Sequence, residues 1–328
     1  MSAEPLWISE QEVVELLSLG EAIVALESGL RLEAEGKAHN MAKTHAKWGH
    51  GETLHAIGAV MEGAGFVGTK TWAHTEGGAC PLLLLFDSAS GALLAVIEAF
   101  ALGQMRTGGI SGLAAKLMAR EDATEMAIVG AGKQAVTQVA AVAAVRPLKR
   151  LRVFSPRAGS REAFAKKIAE RFEFKVETAA SAEAAVKDAE IVTLVTRATA
   201  PVVDSAMLAK GAHINAVGAI VPERVEFAQD VFDRVGLIAV DSPDSVKRLS
   251  REFIDRFGKS GDWSAVKPIS ALIAAGKGRP AGADLTLFKA MGMGLSDLAV
   301  AREVLARARK AGKGRPLPQP TKAQPRLT

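Results

Sequence analysis

A glycine-containing loop at 130–135 has the residue types and spacing to bind a dinucleotide. It follows a short apolar run at 126–129 and precedes an Ala- and Val-rich stretch without breakers up to Val145. Strand, glycine turn and helix in this order form a Gly-x-Gly-x-x-Ala fingerprint, whereas glycines alone could be a plain turn. The fingerprint predicts a cofactor whose pyrophosphate lies beside a helix N-terminus. Gly130 permits the tight turn, Gly132 lets the backbone approach the pyrophosphate, and Ala135 keeps the helix close to the strand. The predicted cofactor-binding residues of the loop are Gly130, Gly132, Lys133, Gln134 and Ala135.

The end of the following strand bears on which cofactor the loop would hold. The run at 151–154 leads into Ser155, Pro156 and Arg157, with Arg161 one helical turn further on. A cofactor without a 2′-phosphate usually meets an Asp or Glu about 20 residues after the glycines, and this segment has none. A hydroxyl and two guanidinium groups suit a phosphate instead. We therefore expect NAD(P), with NADP favoured, and contacts from Ser155 and Arg157, although a solvated arginine is the alternative.

The elements that must position this loop follow two patterns. Up to residue 97 the sequence predicts two helices and then a meander of strands, and a helix rich in small residues follows at 98–119. From residue 125 onward, short apolar runs alternate with helical stretches, and a last helix is expected at 296–309. The fold class is therefore α/β, with a doubly wound parallel sheet of the Rossmann type joined to an α+β part.

Composition limits the class of protein. The chain has 328 residues, enough for two domains, and its net charge of +5 owes much to a tail, 307–326, without acidic residues. Basic and aromatic residues are not interleaved, so we expect a solvated tail and no nucleic-acid partner; nucleic-acid binding through the tail is the alternative. Residues 1–10 lack a secretory pattern, and the longest apolar runs are too short to span a bilayer. With one cysteine, Cys80, these features predict a soluble, cytoplasmic protein without disulfides or a membrane partner.

Four histidines, at positions 45, 50, 55 and 74, fall within the strand meander. A metal site is one interpretation, but no Cys or carboxylate accompanies them at ligand spacing. We expect polar residues around a pocket and no metal. Cys80 is expected to pack rather than to act as a nucleophile, because no paired base is evident.

With these elements in place, the sequence resembles the ornithine cyclodeaminase and mu-crystallin family. The resemblance covers nearly all of 41–304, and its specific segments are Gly68-Thr69-Lys70, Arg106-Thr107, 130–135, 211–219, Val240-Asp241-Ser242 and 287–297. Members are homodimers that act on amino acids and their imines, as cyclodeaminases, alanine dehydrogenases or imine reductases. The resemblance implies a dimerisation and substrate domain at 1–118 and 295–309 around a Rossmann domain at 119–294. The Pro-, Gly- and Lys-rich remainder, 310–328, is expected to be disordered.

The resemblance also implies which residues act on the substrate. It assigns Lys70, Arg106 and Asp297 to catalysis, and it places Lys43 with Lys70 and Arg106 at the substrate. A lysine on a strand can donate a proton or hold a carboxylate, and an arginine can grip a carboxylate with two hydrogen bonds. The alternatives are surface salt bridges for the lysine and arginine, and a purely helix-stabilising role for Asp297. Near the nicotinamide the resemblance places Thr196, Asn215, Val217 and Gly218.

Two positions depart from the family pattern. Cyclodeaminases carry an Asp where this chain has Ile220, which can neither take a proton nor hold an ammonium group. Lys43 stands where most members have an arginine, and lysine keeps the charge but loses the planar fork. We therefore expect an NAD(P)H-dependent oxidoreductase acting on the C=N or CH–NH bond of a small imino or amino acid. The alternatives are a cyclodeaminase-type lyase and a non-catalytic, crystallin-like binding protein.

Overall fold

The computed structural model describes residues 4–328. Residues 1–3, which belong to the predicted domain segment 1–118, lie outside the described residues. The described α-helices are α1 (Glu10–Leu16), α2 (Leu19–Ala34), α3 (Phe100–Met118), α4 (Ala135–Ala143), α5 (Ala158–Ala169), α6 (Ala182–Val186), α7 (Pro243–Leu249), α8 (Arg251–Phe257), α9 (Ile269–Ala275) and α10 (Gly294–Ala311). The strands form two sheets, described in turn below. No helix among residues 4–328 is both long and apolar enough to cross a membrane.

The strands of the first sheet come from both ends of the chain. They are β1 (Leu6–Ile8), β2 (His39–Asn40), β3 (Thr44–Trp48), β4 (Glu52–Met61), β5 (Phe66–Thr75), β6 (Gly78–Ala79), β7 (Leu82–Asp87), β8 (Leu93–Glu98) and β17 (Arg315–Pro316). The main path runs β17-β1-β8-β7-β5-β4-β2, with β3 on β4 and β6 on β5. Only the β1–β8 pair is parallel among the described residues of this sheet, as expected where most strands are joined by short turns.

The second sheet confirms the predicted Rossmann-type fold. Its strands are β9 (Glu125–Val129), β10 (Arg150–Phe154), β11 (Lys175–Thr178), β12 (Ile191–Leu194), β13 (His213–Ala216), β14 (Val235–Val240), β15 (Val266–Pro268) and β16 (Leu285–Lys289). All pairs are parallel, in the order β11-β10-β9-β12-β13-β16-β14-β15. From β9 the chain first adds β10 and β11 on one side and then returns to add β12 and β13 on the other side. Ligands of such sheets bind at this switch point, beyond the carboxyl ends of the strands.

Helix α10 returns from the second sheet to the first and packs against α2, β4 and β5. Its N-terminus approaches β4 so closely that a Cβ on Gly294 would lie 2.1 Å from the carbonyl oxygen of Gly58. On α2, a Cβ on Gly29 would lie 2.7 Å from Ala299 Cβ. Glycine at these positions therefore lets the first turn of α10 lie directly on the strands of the first sheet.

The small residues of α3 have a similar cause. A Cβ on Gly108 would lie 2.6 Å from the carbonyl oxygen of Thr137, and one on Gly112 would lie 2.7 Å from that of Ala141. Both contacts are with α4, the helix that follows the glycine loop. Helix α3, which follows the first sheet, is therefore joined to α4 of the second sheet through close backbone packing.

The tail differs from the sequence-based prediction. Helix α10 runs to Ala311, and Gly312 ends it in the left-handed conformation. Strand β17 then pairs antiparallel with β1, and the side chain of Gln319 donates a hydrogen bond to the carbonyl oxygen of Leu93. The prediction of disorder throughout 310–328 is therefore wrong for residues up to 319. The edge of β1 supplied pairing partners that the tail's own composition does not show.

Candidate active site

The three predicted catalytic residues lie together, with Lys70 and Arg106 beside the carboxylate of Asp297. Lys70 Nζ donates a hydrogen bond of 2.5 Å to Asp297 Oδ1, and Arg106 Nε lies 3.2 Å from the same oxygen. Asp297 is fully buried and Lys70 is 4% exposed, whereas Arg106 is partly accessible. The other carboxylate oxygen, Asp297 Oδ2, has no hydrogen-bond partner among the described residues. The cluster therefore combines two cations with a carboxylate whose hydrogen-bonding capacity is only half used.

Each of these side chains is presented by a different element. Lys70 lies in the middle of β5, opposite Ile57 on β4 and Leu83 on β7. Asp297 lies in the first turn of α10, where the helix dipole favours a negative charge. Asn40 Oδ1 accepts a hydrogen bond of 2.9 Å from the backbone N–H of Leu295 and so holds that turn. Asp297 thus has the position that the helix-stabilising alternative requires, and it also contacts the two cations directly.

Burial gives Lys70 an acid strength suited to proton transfer. Loss of hydration lowers the pKa of Lys70 to about 8, with the nearby Asp297 opposing the change and Arg106 adding to it. The Nζ atom lies 5.2 Å from the ring centroid of Trp72, and a Cβ on Gly103 would lie 3.5 Å from Nζ. These neighbours contribute to the burial of the ammonium group. Lys70 is thus mostly protonated at neutral pH and able to release its proton.

Lys43 lines a cleft beside this cluster. The cleft has a volume of about 390 Å³ and includes Ile57, Ser242 and Gly292 in its wall. Burial lowers the pKa of Lys43, as does the positive charge of Arg106, whereas Asp241 acts in the opposite direction. The predicted grouping of Lys43 with the other substrate residues therefore has an electrostatic counterpart in the structure.

Asp241 is a residue whose role sequence reasoning missed. It is 2% exposed, and its carboxylate accepts hydrogen bonds from the backbone N–H groups of Met291 (2.9 Å) and Gly292 (2.7 Å). Burial raises the pKa of Asp241, and these hydrogen bonds oppose the rise. Gly292 has φ +83°, and a Cβ there would lie 3.1 Å from Arg106 Nη1. Asp241 thus fixes the loop beneath Arg106, and a carboxylate directly after the apolar strand β14 was the available signal.

Two of the four histidines of the meander, His45 and His55, stack on each other. The His55 ring lies 4.7 Å from that of Trp72 and 5.7 Å from that of His45, in rows across β3, β4 and β5. Burial and nearby positive groups lower the pKa of His55 to about 4, so it is neutral at physiological pH. Residues 4–328 contain no group of three or more His, Cys, Asp or Glu side chains able to hold a metal ion.

Cys80 is exposed, which corrects the expectation that it packs.

The glycine loop has the shape that a pyrophosphate needs. Gly130 has φ +116°, and a Cβ there would lie 2.5 Å from the carbonyl oxygen of Val195, so only glycine fits. A Cβ on Gly132 would meet nothing within 4 Å, which leaves open space beside the start of α4. Lys133 is exposed and Ala135 is fully buried, and helix α4 begins at Ala135. The loop therefore fits a dinucleotide, and the individual contacts stay predictions.

Ser155 and Arg157 lie beyond the end of β10, where the adenosine ribose of a Rossmann cofactor binds. Arg157 is exposed at the N-terminus of α5. Arg161 Nη1 donates a hydrogen bond of 3.1 Å to the carbonyl oxygen of Ser155, so it supports the loop. No carboxylate follows this strand before the helix begins, and the phosphate site proposed from the sequence stays a prediction.

The residues predicted near the nicotinamide divide into two groups. Thr196 and Gly218 lie on partly accessible loops after β12 and β13, with Val217 7% exposed just before Gly218. Asn215 is fully buried, and its Oδ1 lies 3.1 Å from His213 Nε2. Burial lowers the pKa of His213 to about 3. Asn215 is therefore enclosed within the second sheet, and its cofactor contact, like those of the loop residues, stays a prediction.

Ile220, the departure from the cyclodeaminase pattern, is partly buried against the core of the second sheet. An apolar side chain at this position is stabilised by packing and offers no proton acceptor. The site therefore has Lys70, Arg106 and Asp297 but lacks the additional carboxylate that the resemblance associates with amine release.

Known proteins are similar to this chain over most of its length. The model of the ornithine cyclodeaminase/mu-crystallin family matches residues 4–312. Delta(1)-pyrroline-2-carboxylate reductase from Bacillus cereus is 31% identical over 238 residues, which are 71% of this chain and 72% of that protein.

Two solved structures are similar over almost their whole length. That of Thermococcus litoralis Delta(1)-pyrroline-2-carboxylate reductase with NADH and L-proline has a TM-score of 0.88 at 27% identity, covering 95% of this chain and 100% of that one. An archaeal alanine dehydrogenase dimer with bound NAD has a TM-score of 0.87 at 27% identity, covering 96% and 99%. The chain therefore belongs to the ornithine cyclodeaminase/mu-crystallin family.

Proposed function

We propose that this protein uses a nicotinamide cofactor to reduce the C=N bond of a small imino acid, or to oxidise the corresponding amino acid. The observation that carries the proposal is the cluster in which Lys70 and Arg106 share one oxygen of the buried Asp297. The similar B. cereus protein is named as a reductase of an imino acid, and the similar T. litoralis structure holds NADH and L-proline. Both facts support the same chemistry.

The cofactor, held by the glycine loop, would supply the hydride for the imine carbon. Arg106 is the group that can hold the substrate carboxylate, since a guanidinium matches a carboxylate with two hydrogen bonds. Lys70 then delivers a proton to the imine nitrogen, and Asp297 holds the lysine in place. In the reverse direction the neutral lysine would accept a proton from the amine. The lowered pKa of Lys70 makes both protonation states accessible near neutral pH.

The test is paired. The purified protein is mixed with NADPH or NADH and a panel of cyclic and linear ketimines that carry a carboxylate, and cofactor absorbance is followed. In a parallel reaction, ornithine is supplied and proline is measured. We expect cofactor oxidation with at least one ketimine and no proline. Ordinary proline production would contradict the reductase proposal. Tight cofactor binding with no turnover in either assay would favour a non-catalytic binding protein.

We further propose that NADP is the preferred cofactor, supported by Ser155 and Arg157 and by the missing carboxylate after β10. The similar solved structures hold NADH or NAD, so the proposed preference for NADP is supported only by this chain's own residues. Binding constants for both cofactors, measured side by side, test it. Equal affinities would contradict it.

We also propose a homodimer in which residues 4–118 and 295–309 form the dimerisation and substrate domain. The similar alanine dehydrogenase is described as a dimer, and α10 already packs onto the first sheet within one chain. Light scattering on the purified protein should give twice the mass of 34.3 kDa. A monomer at micromolar concentration would contradict this proposal.

A further inference from the structure

Glu226 is a fully buried carboxylate that binds two loops at once. Its Oε1 accepts hydrogen bonds from the backbone N–H (2.6 Å) and the hydroxyl (3.0 Å) of Thr196. Its Oε2 accepts hydrogen bonds from the backbone N–H groups of Gly218 (2.7 Å) and Ala219 (3.0 Å). Both oxygens of one side chain are thus used, each by a different loop.

These loops follow neighbouring strands, β12 and β13, at the carboxyl edge of the second sheet. Their N–H groups lie beyond the last strand pairs, so Glu226 supplies the acceptors that the sheet no longer provides. A Cβ on Gly218 would lie 2.5 Å from Glu226 Oε1 and 2.1 Å from the carbonyl oxygen of Thr196. Glycine at 218 is therefore required by the approach of Glu226 and of the neighbouring loop.

Glu226 is itself held by a second buried carboxylate. Its backbone N–H donates a hydrogen bond of 3.0 Å to Glu252 Oε1, while Glu252 Oε2 accepts one of 2.9 Å from the Ser250 hydroxyl. Lys289 Nζ lies 3.8 Å from Glu252 Oε2, and all these side chains are fully buried. Buried charges are costly unless paired and hydrogen-bonded. Both carboxylates are hydrogen-bonded here, and Lys289 pairs with Glu252 by charge, although Lys289 Nζ has no hydrogen-bond partner among the described residues. Burying so many charged groups where the Thr196 and Gly218 loops meet costs free energy, and this cost points to a requirement for fixed loop geometry.

We infer that Glu226 is a positioning residue that holds the Thr196 and Gly218 loops in place for the nicotinamide end of the cofactor, without touching the cofactor itself. The inference rests on the proposed cofactor but not on the proposed substrate. No N–H group of the glycine loop at 130–135 donates a hydrogen bond to Glu226 in the described structure. Removing the carboxylate should therefore affect the nicotinamide half of the dinucleotide and spare the adenylate half.

The test compares a whole cofactor with its adenylate fragment. Glu226→Gln replaces one acceptor by an NH₂ group, which cannot bind the backbone N–H groups. The matched control is Glu190→Gln, since Glu190 Oε2 likewise accepts from the backbone N–H groups of Thr124 (2.6 Å) and Glu125 (3.1 Å), but at the opposite edge of the sheet. Calorimetry measures Kd for NADPH and adenosine 2′,5′-bisphosphate, or for NADH and ADP if the parent protein prefers NADH.

We expect Glu226→Gln to raise the Kd of the dinucleotide about tenfold or more, because a charge-assisted hydrogen bond is replaced by an unsatisfied donor. The Kd of the fragment should change less than about twofold, and Glu190→Gln should leave the ratio of the two constants unchanged. Unchanged dinucleotide binding by a folded Glu226→Gln protein would overturn the inference, as would an equal loss for dinucleotide and fragment.

If Glu226→Gln does not fold, Glu226→Asp is judged by the same ratio, because it keeps the charge but shortens the reach. Failure of both variants to fold would make Glu226 a residue of general stability and would also overturn the inference. The outcome is separable from the proposed function. Dinucleotide binding needs no imine, so a parent protein that binds cofactor but reduces no imine would contradict only the proposed reaction.

Discussion

Lys70 Nζ lies 2.5 Å from Asp297 Oδ1, in a pocket from which bulk water is excluded. Each group makes the burial of the other less costly, because a buried charge without a partner is strongly unfavourable. The pair also leaves Asp297 Oδ2 without a hydrogen-bond partner among the described residues. The arrangement suits a site in which a proton moves and a polar substrate completes the hydrogen bonding.

The first prediction is that Lys70→Met reduces imine turnover by about 10²-fold or more, as expected for loss of a proton donor. Cofactor affinity should survive, because Lys70 belongs to the first sheet and the glycine loop to the second. Steady-state rates and calorimetric binding constants measure the two effects. Lys116→Met is the control, since Lys116 is largely exposed and pairs with Glu27 on the surface. A Lys70→Met enzyme with near-parental turnover would exclude Lys70 as the donor.

The second prediction concerns pH. The pKa of Lys70 is lowered to about 8, so the lysine is protonated below that pH. Imine reduction should fall as pH rises through about 8, and amino-acid oxidation should rise over the same range. Asp297 raises the pKa of Lys70, so Asp297→Asn should move both transitions to lower pH. Rate profiles in both directions provide the measurement, and transitions that stay in place in this variant would assign them to another group.

The third prediction is that Gly132→Val abolishes cofactor binding while the fold is retained. A side chain at 132 would enter open space in the protein alone, so it should cause little strain before the pyrophosphate arrives. Gly20→Val provides the control, because a Cβ there also meets nothing within 4 Å and lies far along the chain from the loop. Calorimetry and circular dichroism follow binding and fold. Parental affinity in the Gly132→Val protein would show that the loop is only structural.

The fourth prediction is that Arg157→Ala weakens NADPH binding about tenfold or more and NADH binding much less. A charge-assisted hydrogen bond contributes about 1.5–3 kcal/mol, and only the phosphorylated cofactor would form it. Arg171→Ala tests for a general charge effect, because Arg171 is exposed after the end of α5. Equal losses for both cofactors would mean that Arg157 does not recognise the phosphate.

The fifth prediction concerns acid stability. The pKa of the fully buried His213 is lowered to about 3, so the unfolded chain binds a proton below about pH 6.5 that the folded protein does not bind. His213 should therefore reduce stability as pH falls from about 6.5 toward 3, by on the order of 1 kcal/mol per pH unit. Urea unfolding of the parent and of His213→Gln across this range should show a shallower loss in the variant. Parallel curves would contradict a neutral buried histidine.

Local signals in the sequence were sufficient for much of the cofactor side. Gly130 and Gly132 lie between an apolar strand and a helix, and all three parts adjoin in the chain, so their spacing predicts their geometry. The alternation that continues to β13 likewise predicts a parallel sheet, because a buried parallel strand reads as a short apolar run wherever it occurs. Ile220 was visible as a departure for the same reason, since it lies next to a recognisable segment.

The tertiary structure alone decided what depends on contacts between distant parts of the chain. Lys70 and Asp297 are 227 positions apart in the sequence. No periodicity predicts that α10 places Asp297 beside Lys70. The pKa of Lys70 follows from the surrounding burial, and the burial of Asn215 follows from the helices over its strand. The order of the tail depends on the edge of β1, and the role of Glu226 depends on two loops that meet only when the sheet forms. Composition and spacing describe neighbours along the chain, whereas burial and electrostatics are set by neighbours in space.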